Sequence, residues 1–63
     1  MELKDKCKFA RKELEMSQKH FAVLIQSNQT EVSFIERGFI PEDKSKIKMI
    51  DLIYQICLTY KEN

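Results

Sequence analysis

Residues 18–38, QKHFAVLIQSNQTEVSFIERG, decide the fold of this chain. Their pattern predicts two short helices joined by a tight turn. The first helix is expected from residue 18 to about residue 25, because the hydroxyl of Ser17 can accept a hydrogen bond from a backbone N–H that has no partner within the helix. Its apolar side chains share one face, which we expect to enter the core: Phe21, Ala22 and Ile25.

The second helix of this stretch is expected to begin at Asn28. Asparagine is a favourable N-cap residue, and Glu31 follows three residues later, so the two form an approximate capping box. Val32 and Ile35 point inward at helical spacing. The side chains left on the outer face are polar or aromatic: Gln29, Thr30, Ser33 and Phe34. Gly38 follows the helix, at a position where a residue with positive φ commonly ends it.

The pattern resembles the lambda-repressor/Cro-like helix-turn-helix family, of the xenobiotic-response-element type. The matching residues align with the family pattern without a gap: Arg11, Met16, Ser17, Gln18, Phe21, Ala22, Ile25, Val32, Ser33, Ile35, Glu36, Arg37 and Gly38. The resemblance is strong over residues 3–38. It implies an all-α fold of four helices, or five with a further short turn, in a single DNA-binding domain of residues 1–63 with its motif at 17–38.

Three positions depart from the family pattern. The family commonly has glycine where this chain has Gln26, and a small apolar residue where it has Ser27. Glu15 likewise replaces a frequent glycine after the first helix. A glutamine held in the left-handed conformation at position 26 is expected to cost on the order of 1 kcal/mol.

The resemblance also implies an ion pair between Arg11, at the end of the first helix, and Glu36, at the end of the second motif helix. A planar guanidinium suits a carboxylate better than an ammonium does.

The first helix of the chain, which precedes the motif, is expected from residue 2 to residue 13 or 14. Its core-facing stripe is Leu3, Cys7, Ala10 and Leu14. The lysines of the opposite face form either a solvated surface or phosphate contacts: Lys4, Lys8 and Lys12.

The last helix is expected over about residues 42–60, after a loop that contains Pro41. Its apolar residues extend over far more than the stripe of about 100° that a small bundle needs. We expect a second copy of the chain to cover the surplus, which is Met49, Leu52, Ile53, Ile56 and Tyr60. The alternative is that the other helices bury the whole arc within a monomer. Four further apolar residues are covered by this helix or form a partner surface: Val23, Leu24, Phe39 and Ile40.

Major-groove readout requires an exposed helix face whose side chains reach base edges. By resemblance, the predicted base contacts are Gln29, Thr30, Ser33 and Phe34. The predicted phosphate contacts are Gln18, Asn28, Arg37, Lys44 and Lys46, with Lys48 beside them. For the lysines, a merely solubilising role is the alternative. For Phe34, the alternative is a protein interface.

Composition limits the classes of function and cellular location that the chain can have. Eleven basic and ten acidic residues give a formal charge of +1, so binding to nucleic acid must rely on a local basic patch. The N-terminus lacks the apolar segment of a signal peptide, and no apolar run is long enough for a membrane, so a cytoplasmic protein without a membrane partner is expected. Cys7 and Cys57 are expected to be buried, reduced thiols, with a disulfide or a metal site as the alternative.

No arrangement typical of an enzyme is found in the sequence. Gly38 is the only glycine, so a glycine-rich phosphate loop is excluded, and no metal-ligand spacing is present. His20, the only histidine, is expected at the surface. We therefore expect no catalytic activity, no cofactor and no metal.

The sequence predicts a DNA-binding transcriptional regulator, a repressor acting as a homodimer on an inverted repeat of double-stranded DNA. One alternative is an antitoxin or restriction–modification controller with a protein partner. The other is a protein–protein interaction module that kept the fold and lost DNA binding.

Overall fold

The computed structural model describes residues 1–62, which form four α-helices. They are α1 (Leu3–Glu13), α2 (Gln18–Leu24), α3 (Gln29–Glu36) and α4 (Lys44–Glu62). The predicted all-α class with four helices is confirmed. Asn63, the last residue of the predicted domain, lies outside the described residues.

The predicted N-caps begin α2 and α3. The Ser17 hydroxyl accepts from the backbone N–H of His20 at 3.1 Å, and the Asn28 side chain accepts from the N–H of Glu31 at 2.8 Å. The Glu31 carboxylate does not complete a capping box, since it accepts from Ser27 Oγ and Lys46 Nζ instead. The start of α4 has its own cap in the loop before it, where the Asp43 carboxylate accepts from the Ser45 N–H at 2.9 Å.

The first three helices end in the same way. Two residues after the end of each helix comes a residue with positive φ: Glu15 (55°), Gln26 (57°) and Gly38 (115°). In each case the N–H of the next residue bonds a carbonyl five residues back, as Ser27 does to Ala22 at 2.7 Å. These are Schellman motifs, in which glycine is the favoured residue at the positive-φ position. Two of the three positions therefore hold a side chain in a left-handed conformation.

The core lies where α1 meets α3 and α4, with α2 packed on α3. Its buried residues come from all four helices: Cys7, Ala10, Phe21, Ala22, Ile25, Val32, Ile35, Ile50 and Cys57. Both cysteines are free and buried, as predicted. The prediction that Leu14 faces the core is wrong. Helix α1 ends at Glu13, and the turn through Glu15 leaves the Leu14 side chain exposed.

Helix α4 is only partly covered. Met49 and Ile53 pack against the core, whereas Leu52, Ile56 and Tyr60 are 62%, 56% and 85% exposed. The alternative in which a monomer buries the whole apolar arc is therefore wrong. The four apolar residues assigned either to the core or to a partner surface are also exposed, so α4 does not cover them: Val23, Leu24, Phe39 and Ile40. No helix within residues 1–62 has the length and apolar character needed to cross a membrane.

Candidate nucleic-acid interface

The orientation of α3 depends on a buried carboxylate. Glu36, at the last position of α3, is 5% exposed and receives two hydrogen bonds from Arg11 of α1, Nε to Oε2 at 2.7 Å and Nη2 to Oε1 at 3.1 Å. Gln18 of α2 donates to Oε1 at 3.3 Å, and the Cys7 thiol donates to Oε2 at 3.6 Å. Arg11 also donates to the backbone oxygen of Met16. One carboxylate thus joins α1, α2 and α3.

This network sets the titration of its members. Burial alone would raise the pKa of Glu36, but the hydrogen bonds from Arg11 and Gln18 outweigh it, and the pKa lies below its ordinary value. Burial, and then the neighbouring Glu36 carboxylate, raise the pKa of the Cys7 thiol to about 12. The thiol therefore stays protonated at neutral pH and serves as a hydrogen-bond donor rather than as a nucleophile.

Opposite this anchored side, α3 has an exposed face. Gln29 and Thr30, at its first turn, are exposed, Ser33 is half-buried, and Phe34 is 47% exposed. Val32 and Ile35 lie in the core. The structure therefore brings the four predicted base-contacting residues to one side of a helix whose other side is fixed.

Arg37 lies on the same side as Phe34. Its guanidinium carbon is 4.8 Å from the centre of the Phe34 ring. Its Nε donates to the backbone oxygen of Ser33 at 3.4 Å, and its Nη2 donates to Ser33 Oγ at 3.3 Å. This contact was not predicted, because the spacing of three residues between Phe34 and Arg37 permits it but does not require it.

Lys46, a predicted phosphate contact, forms an ion pair within the protein. Its Nζ lies 2.7 Å from Glu31 Oε1, and both side chains are largely covered. The same oxygen of Glu31 accepts from Ser27 Oγ. The hydrogen bonds from Lys46 and Ser27 lower the pKa of Glu31. Lys46 therefore ties the start of α4 to the first turn of α3, and its charge is balanced there.

The other predicted phosphate contacts have different surroundings. Asn28 and Lys44 are exposed, each at the start of a helix, and Lys48 is exposed one turn further along α4. Gln18 is half-buried and uses one amide N–H on Glu36. Lys19, which was not predicted, is also exposed in the first turn of α2.

Ion pairs account for part of the basic charge. Within the described residues, carboxylates pair with Lys4, Lys6, Arg11, Lys46 and Lys61. The basic side chains of that part of the chain without such a pair are Lys8, Lys12, Lys19, Arg37, Lys44 and Lys48. Four of these six belong to α2, to α4 or to the end of α3: Lys19, Lys44, Lys48 and Arg37.

Comparison of the chain with protein-family models, with curated proteins and with solved structures gave no match.

Proposed function

We propose that this protein is a sequence-specific DNA-binding regulator of the lambda-repressor-like helix-turn-helix type, acting in the cytoplasm. In this proposal α2 and α3 form the motif, and α3 enters the major groove. The main support for this proposal is that one side of α3 is buried and anchored while the opposite side is exposed. Ile35 and Glu36 fix one side, while the other side exposes the short polar side chains of Gln29 and Thr30. Helices anchored in this way are suited to reading base edges.

The side chains of this face have chemically distinct roles in the proposal. Gln29 binds adenine through N6 and N7, as a primary amide can in a bidentate manner. Thr30 and Ser33 donate to or accept from base edges, and Phe34 packs on thymine methyl groups. Asn28 and Lys44 bind phosphate on either side and fix the register of the helix on the duplex. Gln18 contributes its remaining amide N–H to the same backbone.

The proposed active form is a homodimer. The exposed side chains of Leu52, Ile56 and Tyr60 form a continuous apolar strip along α4, with Met49 and Ile53 at its inner edge. Burial of this strip against a second copy would remove it from water and add to the small core of a short chain. A two-fold dimer places its recognition helices in successive major grooves, about 34 Å apart, and binds an inverted repeat. Occupancy of a promoter then excludes polymerase, which makes repression the expected outcome.

The experiment that tests this function is selection from a random duplex library, followed by measurement of binding to the recovered duplex at several salt concentrations. We expect enrichment of an inverted repeat and an affinity that falls steeply with salt, because phosphate contacts release counterions. Failure of the folded protein to enrich any sequence would contradict the proposal.

A second candidate function is favoured by a separate observation. Four exposed apolar residues belong to α2 or to the loop after α3 and not to α4: Val23, Leu24, Phe39 and Ile40. They are suited to a protein partner, as in an antitoxin or a restriction–modification controller that also binds DNA. A module that binds only protein is the further possibility, and it predicts no salt-dependent affinity for DNA.

A further inference from the structure

The position of Arg37 points to a role beyond phosphate binding. Arg37 is the C-cap residue of α3, so an extended side chain would leave the helix at its end. Instead, the guanidinium lies over the ring of Phe34, with 4.8 Å between the guanidinium carbon and the ring centre. This arrangement carries the positive charge back along the exposed face of α3, towards Ser33 and the residues proposed to meet bases.

The hydrogen bonds of Arg37 define which donors remain. Nε and one N–H of Nη2 are used on the backbone oxygen and hydroxyl of Ser33. A guanidinium has five N–H donors, so both N–H groups of Nη1 and one of Nη2 are left. One N–H of Nη1 and the remaining N–H of Nη2 form a parallel pair at the tip of the side chain, which matches the O6 and N7 acceptors of guanine.

The surroundings favour a base over a phosphate as the ligand of this pair. Phe34 provides a flat surface on one side of the guanidinium, and Ser33 fixes its rotation, so the planar group is already oriented before it binds. Both supporting residues belong to the face that carries Gln29 and Thr30. Among the side chains of residues 1–61, no carboxylate forms an ion pair with Arg37, so none of these side chains balances its charge.

We propose that Arg37, held over Phe34 and by Ser33, reads a guanine in each half-site of the DNA. Arg37 is then a specificity-determining residue, and Phe34 acts as its platform. This inference rests on the proposed function and deepens it, since it names a base and the group that recognises it.

The test is selection from the random duplex library with the wild type, Arg37→Lys, Phe34→Leu and Lys44→Gln. The wild type is expected to select a guanine at one position of each half-site. Arg37→Lys should lose that preference and keep the others, because lysine has neither the planar fork nor the stacking surface. Its affinity for the wild-type duplex should fall about 5- to 140-fold, which corresponds to 1–3 kcal/mol.

The two other variants separate the alternatives. Phe34→Leu keeps an apolar side chain but removes the aromatic platform, and it should weaken the same guanine preference. Lys44→Gln should lower affinity for all sequences alike and reduce the salt slope by about 1, without changing any preference.

Two outcomes would overturn the inference. If Arg37→Lys behaves like Lys44→Gln, Arg37 binds phosphate. If it lowers only the melting temperature, Arg37 merely caps α3. Either result leaves the proposed function standing, provided that the wild type enriches a site. If the wild type enriches none, the proposed function fails, and this inference fails with it.

Discussion

Arg11 and Glu36 meet through two parallel hydrogen bonds, Nε to Oε2 at 2.7 Å and Nη2 to Oε1 at 3.1 Å. The two residues lie on α1 and at the end of α3, so the pair fixes the angle between the helix that supports the motif and the helix proposed to read DNA. Because Glu36 is almost fully buried, its charge depends on this partner and on Gln18.

The first prediction concerns this pair. Arg11→Lys and Glu36→Ala are each expected to lower the free energy of unfolding by about 1–3 kcal/mol, since each removes the bidentate contact and leaves a covered polar group without its partner. Thermal unfolding followed by circular dichroism measures the effect, and a loss of 1 kcal/mol corresponds to about 4–8 °C in a domain of this size. Unchanged melting of both variants would show that the pair contributes nothing to stability.

The second prediction follows from the lowered pKa of Glu36. Its folded-state pKa lies below the ordinary value of 4.5, so the folded protein binds fewer protons. The stabilisation is therefore fully present above about pH 4.5 and is lost as pH falls through the folded-state pKa. Melting temperatures between pH 2.5 and pH 7 should decline less steeply in Glu36→Gln than in the wild type. Parallel curves for the two proteins would contradict this.

The sequence predicted the pair of short helices well, because the determinants of their ends are local. Ser17 and Asn28 are caps whose hydrogen bonds reach only three residues along the chain. The end of α3 at Gly38 was also predictable, because the determinant is the glycine itself. The inward positions of α3 followed from the helical spacing of Val32 and Ile35. The Arg11–Glu36 contact, between residues 25 positions apart, came from a family resemblance and not from the spacing itself.

Three features of the structure depend on turns or contacts that the sequence pattern alone does not determine. Leu14 fits the apolar stripe of α1, but the left-handed turn at Glu15 ends the helix before that residue can face the core. Lys46 belongs to a basic segment, and its pairing with Glu31 depends on the path of the loop that follows Gly38. The stacking of Arg37 on Phe34 competes with solvation of both side chains, and the sequence shows the spacing but not the outcome.

The third prediction concerns the turn between α2 and α3. Gln26 has φ 57°, a conformation in which its β-carbon is crowded. Gln26→Gly should therefore raise the free energy of unfolding by about 0.5–1 kcal/mol, after allowance for the greater freedom of glycine in the unfolded chain. The matched control is Gln55→Gly, at an exposed position inside α4, which should lower it by a similar amount. The same sign for both variants in urea unfolding would count against strain at residue 26.

The fourth prediction concerns the apolar strip on α4. Leu52→Glu and Ile56→Glu should convert the proposed dimer to a monomer, because each places a charge in the centre of the proposed interface. Sedimentation equilibrium measures the change in mass. The matched control is Val23→Glu, which puts the same charge on an exposed aliphatic residue of α2 and should leave the dimer intact. If the control dissociates the dimer and the α4 variants do not, the interface lies on α2.

The fifth prediction concerns Gln29, the first residue of α3. Loss of its amide should remove the bidentate contact with adenine and leave the phosphate contacts in place. Gln29→Ala is therefore expected to bind the selected duplex about 1–3 kcal/mol more weakly and to bind a shuffled duplex almost as well as the wild type does.

The central claim is that the exposed face of α3 reads DNA sequence. Its most direct test is an equilibrium-binding comparison of the wild type with Gln29→Ala. The wild type and Gln29→Ala are each titrated with the selected and the shuffled duplex at several salt concentrations. We predict a loss confined to the selected duplex, with an unchanged salt slope. Equal losses on both duplexes, or equal affinity of the wild type for the two, would contradict sequence readout by α3.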